Sequence, residues 1–210
     1  MKILITLAVL AAGSFPLHAT TIITRFDFTI NQPIPDNDPV GFSDTRQVSS
    51  PITAITGVTI LLSMEGGWAG DMYAYVTHAS GFAVLINRPG RSGTNLAGSG
   101  VSQMSIILKD DAESDIHTAI PTTGLVSGEF QPDARMIDPD DSLDTSPRSA
   151  FLSSFHGLDA NGEWTLFVAD VAAGDQMVLN DWSLVVEGIP EPSTSVMALL
   201  GLMALLWRRR

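Results

Sequence analysis

Between Ile22 and Gly188 no segment of this 210-residue chain repeats apolar residues at helical spacing over the length of a helix. Short runs rich in β-branched and aromatic residues appear instead, bounded by Gly, Pro, Asn and Asp. A strand turns successive side chains to opposite faces, so alternation buries one face and wets the other. In residues 71–78, Met72, Ala74 and Val76 share one face while Tyr73, Tyr75 and Thr77 share the other. Trp164, Leu166 and Val168 align in the same way within 163–170, as do Trp182, Leu184 and Val186 within 177–187. Further strands are expected at 22–30, 55–64, 82–87 and 104–109. A turn at Ser80-Gly81 makes 71–78 and 82–87 a hairpin, and Asn161-Gly162 and Gly174-Asp175 supply further turns. The Gly-, Ser-, Pro- and Asp-rich stretches 88–102 and 118–149 read as long surface loops, and 31–50 as an excursion. The pattern predicts an all-β protein, a jelly-roll-like β-sandwich of one domain.

Both ends depart from that pattern. Mean hydropathy of +0.22 is high for an acidic protein because the termini are apolar. Lys2, the apolar run from Ile3 to Ala12 and Leu17-His18-Ala19 have the three parts of a cleaved, helical secretory signal, placing the signal peptide at 1–19. At the other end, Pro190-Glu191-Pro192 precedes an almost wholly apolar stretch from Ser195 to Trp207 and then Arg208-Arg209-Arg210. A helix of about thirteen residues rises about 20 Å against a hydrocarbon core of about 30 Å, which suits transient rather than permanent residence in a membrane. The arginines favour the cytoplasmic side, so the extended Pro-x-Pro stretch stands outside, where a protease reaches it.

This order of elements resembles the PEP-CTERM sorting signal, with Pro190, Glu191 and Pro192 matching its motif. The resemblance implies processing by an exosortase in a Gram-negative, exopolysaccharide-producing bacterium. It also implies a transient inner-membrane anchor through the short C-terminal apolar helix. The expected organisation is therefore 1–19 signal peptide, 20–51 N-terminal strand and extension, 52–188 sandwich and 189–210 sorting signal.

Residues 20–188 hold 7 Lys+Arg against 22 Asp+Glu, a balance near −15. Such a surface repels phosphate backbones, which excludes nucleic acid and leaves cations, basic proteins or neutral glycans as partners. Zero cysteine excludes disulfides, thiolate zinc sites and cysteine nucleophiles.

The central region is similar to the P domain of proprotein convertases, the P/Homo B domain. The resemblance rests on Gly70-Asp71-Met72-Tyr73-Ala74-Tyr75-Val76, then Ser80-Gly81, then Leu85-Ile86-Asn87-Arg88-Pro89-Gly90. Its second half is Asn161-Gly162-Glu163-Trp164-Thr165-Leu166-Phe167-Val168-Ala169-Asp170 and Asn180-Asp181-Trp182-Ser183-Leu184. Met72 and Ala74 stand where the family usually has leucine and isoleucine. The resemblance implies an eight-stranded jelly roll that stabilises a subtilisin-like catalytic domain. This chain is too short to add such a domain, and no serine lies in a nucleophile context with separate His and Asp segments, so no catalysis is expected. His78, His117 and His156 read as isolated histidines without metal spacing.

Clustered carboxylates are the better lead, because Ca2+ takes oxygen ligands. Asp71 at a strand start, Asp110, Asp111, Glu113 and Asp115 after a strand, and Asp170 at a strand end converge if those ends share one side. Asp138, Asp140, Asp141 and Asp144 lack the Gly and terminal Glu of an EF-hand loop. Trp164 and Trp182 belong to the apolar face and are expected in the core, whereas Trp68, among Gly66, Gly67 and Gly70, is the expected exposed binding aromatic. The sequence thus predicts an exported, non-catalytic cell-surface or extracellular-matrix protein with a binding or stabilising module. Two alternatives remain: an accessory domain of a separate serine protease, or a carbohydrate-binding module that meets exopolysaccharide.

Overall fold

The computed structural model describes residues 20–191 and Trp207. The signal peptide 1–19, Pro192 and the expected C-terminal apolar helix lie outside the described residues, apart from Trp207. Nine strands form two sheets. Strands β1 (Ile22–Pro33), β3 (Ile52–Gly66), β6 (Gly100–Leu108), β7 (Thr123–Phe130) and β9 (Met177–Pro190) form one, in the order β1-β9-β3-β6-β7. Strands β2 (Asp38–Val48), β4 (Met72–His78), β5 (Gly81–Asn87) and β8 (Gly162–Asp170) form the other, in the order β2-β8-β4-β5. Pairing is antiparallel except between β6 and β7, which run parallel. The result is an all-β, jelly-roll-like sandwich.

Strand β3 shows how the sequence makes the core. Its buried residues are Ile52, Ile55 and Val58, three apart, and then Ile60, Leu62 and Met64, two apart. Register shifts at 52/54 and 55/57 insert an extra residue each time, so the three-residue spacing still delivers one apolar face. Trp182 on β9, the register partner of Leu62 beside it, and Trp164 on β8 of the other sheet are fully buried, as their alternation predicts. Each buried indole finds an acceptor for its N–H: Trp164 donates to the Ala160 carbonyl at 3.1 Å and Trp182 to Asp44 Oδ2 at 2.7 Å.

Four expectations need correction. Residues 31–50 are not an excursion, because β2 pairs with β8 from Phe42 to Val48, and β1 pairs with β9; the sandwich therefore begins at Ile22 rather than 52. The supposed loop 118–149 contains β7, an edge strand with a single well-buried residue, Val126, and glycines at positive φ (Gly124, Gly128) that hide its alternation. The hairpin turn is Ala79-Ser80, since His78 pairs with Gly81. Gly81 lies against the Phe155 ring, which leaves no room for a side chain.

The fourth concerns the C-terminal boundary. Strand β9 continues past 188, pairing Ile189 with Ala54 and Pro190 with Ile52, and the Glu191 N–H donates to the Pro51 carbonyl at 3.2 Å. The first two residues of the Pro-Glu-Pro stretch are thus fastened to the body. A chain ending at Gly188 is expected to lose about 1 kcal/mol of stability relative to one ending at Glu191, the net worth of such bonding. Urea midpoints of the two chains test this, and equal midpoints would show that the attachment contributes nothing.

Candidate functional site

The structure sorts the acidic residues into two groups at different places. Asp71 closes the 3-10 turn Ala69–Asp71 that leads into β4, and its carbonyl accepts from the Val171 N–H at 2.8 Å. Asp170 ends β8 and is the register partner of Met72, the residue after Asp71. Asp36, in the β1–β2 connection, accepts from the Gly174 N–H at 3.1 Å, and its negative charge acts on both Asp71 and Asp170. The sequence grouped Asp71 and Asp170 with Asp110, Asp111, Glu113 and Asp115 and did not point to Asp36.

Asp170 is the unusual member. It is fully buried; Oδ1 accepts from the Ala172 N–H at 3.3 Å, while Oδ2 has no hydrogen-bond partner in the protein. Burial, with the negative charges of Asp71 and Asp36, pushes its carboxyl up to about 6, against the pull of the Ala172 and Asn37 backbone N–H groups. Asp71 is also raised, chiefly by burial, against the attraction of Arg88, whose Nη2 stands 3.6 Å away. Ionised, Asp170 holds a buried charge without a direct cationic partner; protonated, it holds a hydroxyl on an atom without an acceptor. An unpartnered buried carboxylate oxygen, with two further carboxylates whose charges act on it, is oxygen-donor chemistry of the kind a hard cation takes.

Asp110, Asp111 and Glu113 do not join this group. Asp110 accepts from the Leu152 and Ser153 N–H groups at 3.0 and 2.7 Å, capping the 3-10 turn Leu152–Phe155. Asp111 is exposed and stands 3.9 Å from Lys109 Nζ, beside a cleft also lined by Leu152, His156 and Glu187. Glu113 is exposed. The expected convergence fails because β6 runs antiparallel to β3, carrying the residues after Leu108 away from the end of β3 that leads to Asp71. Among the described residues no group of three or more His, Asp or Glu is already arranged around a metal position.

Trp68 is half-buried rather than displayed. Its ring covers Gly100, where a side chain would collide with it, and its indole N–H donates to the Ala97 carbonyl at 3.0 Å. The flanking glycines suggested exposure, but the glycine that matters lies more than thirty residues away.

A buried charged network was missed entirely. His117 is inaccessible: Nδ1 lies 2.8 Å from Asp133 Oδ2 and Nε2 2.9 Å from the Arg91 carbonyl. Arg135 bridges Asp133 at 3.2 Å and Asp115 at 2.9 Å and donates to the Leu143 and Asp144 carbonyls. The network fixes the 131–150 segment along the outer edge of β5, where Asp133, Ala134 and Ala150 make backbone bonds to Val84 and Leu85. A sheet edge that would otherwise offer free backbone groups is thereby closed. His78 is likewise structural, stacked on Trp164 with ring centroids 4.2 Å apart and bonded to the Glu163 and Asp159 carbonyls. His156 is exposed.

Comparison with known proteins adds one specific identification. Residues 188–210 match the PEP-CTERM protein-sorting motif, so the chain carries a sorting signal that marks an exported protein processed through its C-terminal end. No curated protein matches the chain. Among solved structures, the serine protease of Aeromonas sobria is 14% identical, with 83% of this chain and 28% of that chain covered and a TM-score of 0.47. The complex of that protease with its chaperone gives 15% identity, 81% and 27% coverage and a TM-score of 0.46. The chain therefore spans little more than a quarter of the length of those structures.

Proposed function

We propose that this is an exported, non-catalytic β-sandwich, routed by its C-terminal signal to the cell surface or extracellular matrix after an exosortase removes the tail. The supporting observation is the sorting motif at 188–210, whose first residues are the last residues of β9. The folded body ends where the signal begins, so the sandwich is the cargo and the tail its address. The body acts as a P-domain-like binding or stabilising module. Fractionation of producing cells tests the route. The full chain is expected at the surface or outside, while a chain ending at Glu191 is expected to be exported but absent from the surface. Identical distributions would remove the sorting role from the account.

The cargo includes a cation site. Asp36, Asp71 and Asp170 would supply oxygen ligands for Ca2+, and the ion would draw together the β1–β2 connection, the start of β4 and the end of β8. The unpartnered Asp170 Oδ2 is the observation behind it. Bound there, the ion supplies charge compensation and a crosslink between three chain segments in a protein without disulfides.

A further inference from the structure

The outer face of the four-stranded sheet has a composition unlike the rest of this acidic surface. Tyr73 and Tyr75 on β4, Phe167 on β8 and Phe82 on β5 turn away from the core and remain half-buried, alternating with fully buried Ala74, Val76, Leu166 and Val168. Tyr75 and Phe167 are direct register partners, their rings 4.7 Å apart and 16° from parallel. Phe82 lies 5.2 Å from Tyr75 at 41°, and Tyr73 lies 5.8 Å from Tyr75 at 58°. These tilts keep the four rings from collapsing into a single closed stack. Beside them, Thr45 and Thr165 bond hydroxyl to hydroxyl at 2.9 Å across β2 and β8, and Thr77 continues the row on β4.

Charge decides what this face fits. The chain has a formal charge of −12, yet the ring array and its threonine border contain no ionised group. Among the described residues, the carboxylates nearest them stand at the rims: Glu163 at the start of β8, and exposed Asp138 with buried Asp133 on the Tyr73 side, whose negative charges act on that phenol. A basic partner would find carboxylates only at the rims and none between Tyr75 and Phe167, and a polyanion would be repelled by the protein as a whole. A neutral ligand that offers both C–H faces and many hydroxyls meets aromatic rings bordered by Thr and Tyr hydroxyls with both parts satisfied. A contiguous aromatic array left at the surface is also the kind of patch that marks an interaction site.

We propose that this face binds a neutral polysaccharide, with Tyr75 and Phe167 as its centre. The proposal rests on the reading of the body as an exported binding module and names its ligand class. Native gel electrophoresis through gels containing hydroxyethylcellulose, neutral xylan or mixed-linkage β-glucan tests it, with alginate as the anionic comparison. The sample is the exported protein recovered from producing cells, so failure to obtain an exported form would count against the sorting route and not against this site. Retardation by at least one neutral polymer and not by alginate is expected. Tyr75→Ala combined with Phe167→Ala should weaken it at least tenfold, whereas Tyr75→Phe should retain most of it. Trp68→Ala, outside this face, should leave it unchanged. Circular dichroism and melting of each variant separate lost binding from lost folding, and Tyr75→Phe keeps the test decisive should the double variant misfold. No retardation by any neutral polymer, retardation by alginate alone, or equal retardation of Trp68→Ala and the double variant as folded proteins would overturn the proposal. So would concentration-dependent self-association in sedimentation that Tyr75→Ala abolishes, which would assign the face to a second copy of this chain.

Discussion

Asp133→Ala is expected to lower the unfolding free energy by about 3–5 kcal/mol, the range for removing one partner of a buried charge pair. Asp133 is inaccessible and receives His117 Nδ1 at 2.8 Å, Arg135 Nη1 at 3.2 Å and the Asn87 N–H at 3.2 Å. Removing its carboxylate leaves His117 and Arg135, both buried, facing a small cavity. The 131–150 segment then loses its anchor on β5, and Val84 and Leu85 lose the covering that occupies their edge. In a domain of this size the midpoint of thermal unfolding should fall by roughly 10 °C. Asp133→Asn keeps the shape and one acceptor and should cost less. Asp111→Ala is the surface control: exposed and 3.9 Å from its lysine, it should shift stability by no more than about 0.5 kcal/mol. Guanidinium unfolding followed by far-ultraviolet circular dichroism gives all three values. If Asp133→Ala and Asp111→Ala prove equivalent, the network is not what fastens the segment.

The second large effect concerns the cation. With Ca2+ at about a hundred times the dissociation constant, binding to the native state adds about 2.7 kcal/mol, so the melting midpoint should rise by roughly 5–10 °C over that in chelator. The pH dependence of the chelated protein has a definite sign. A carboxyl whose folded value is raised from 3.8 to about 6 makes a favourable contribution below 3.8 that is lost as pH rises through about 6. The chelated protein should therefore become less stable from about pH 4 to pH 7 at this site, by on the order of 1–2 kcal/mol once solvent screening is allowed for. Calcium should reverse the loss at neutral pH. Asp170→Asn removes the charge, so its midpoint in chelator should match or exceed that of the unaltered protein at pH 7, while its response to calcium largely disappears. A calcium response that survives Asp170→Asn undiminished would place the ion elsewhere, and no response in the unaltered protein would remove it from the account.

These two sites also show where the sequence was readable. Strands whose apolar residues alternate without interruption, such as Met72-Ala74-Val76 and Trp164-Leu166-Val168, were legible because burial of one face leaves a period of two. Strand β2 was not, since Val48 is its only fully buried residue, and the edge strand β7 was broken by Gly124 and Gly128. Asp71 and Asp170 were legible as strand-end carboxylates, but the influence of Asp36 on them comes from the β1–β2 connection, which no spacing rule encodes. His117, Asp133 and Arg135 look like loop residues in a polar stretch, and their burial follows only from backbone pairing with β5. The outward face of β4 was legible in Tyr73 and Tyr75, while its continuation onto Phe167 and Phe82 depends on which strands become neighbours. Trp68 drew attention instead because glycines surround it, yet Gly100 provides the surface that half-buries it.

The most direct test of the account is the intact mass of the protein recovered from outside the cell or from its surface. A species beginning near Thr20 and lacking the arginine cluster, with its new C-terminus close to Pro190-Glu191-Pro192, is the expected result. Recovery of that protein still ending at Arg210 would contradict the claim that the last residues are a sorting signal removed from a finished sandwich.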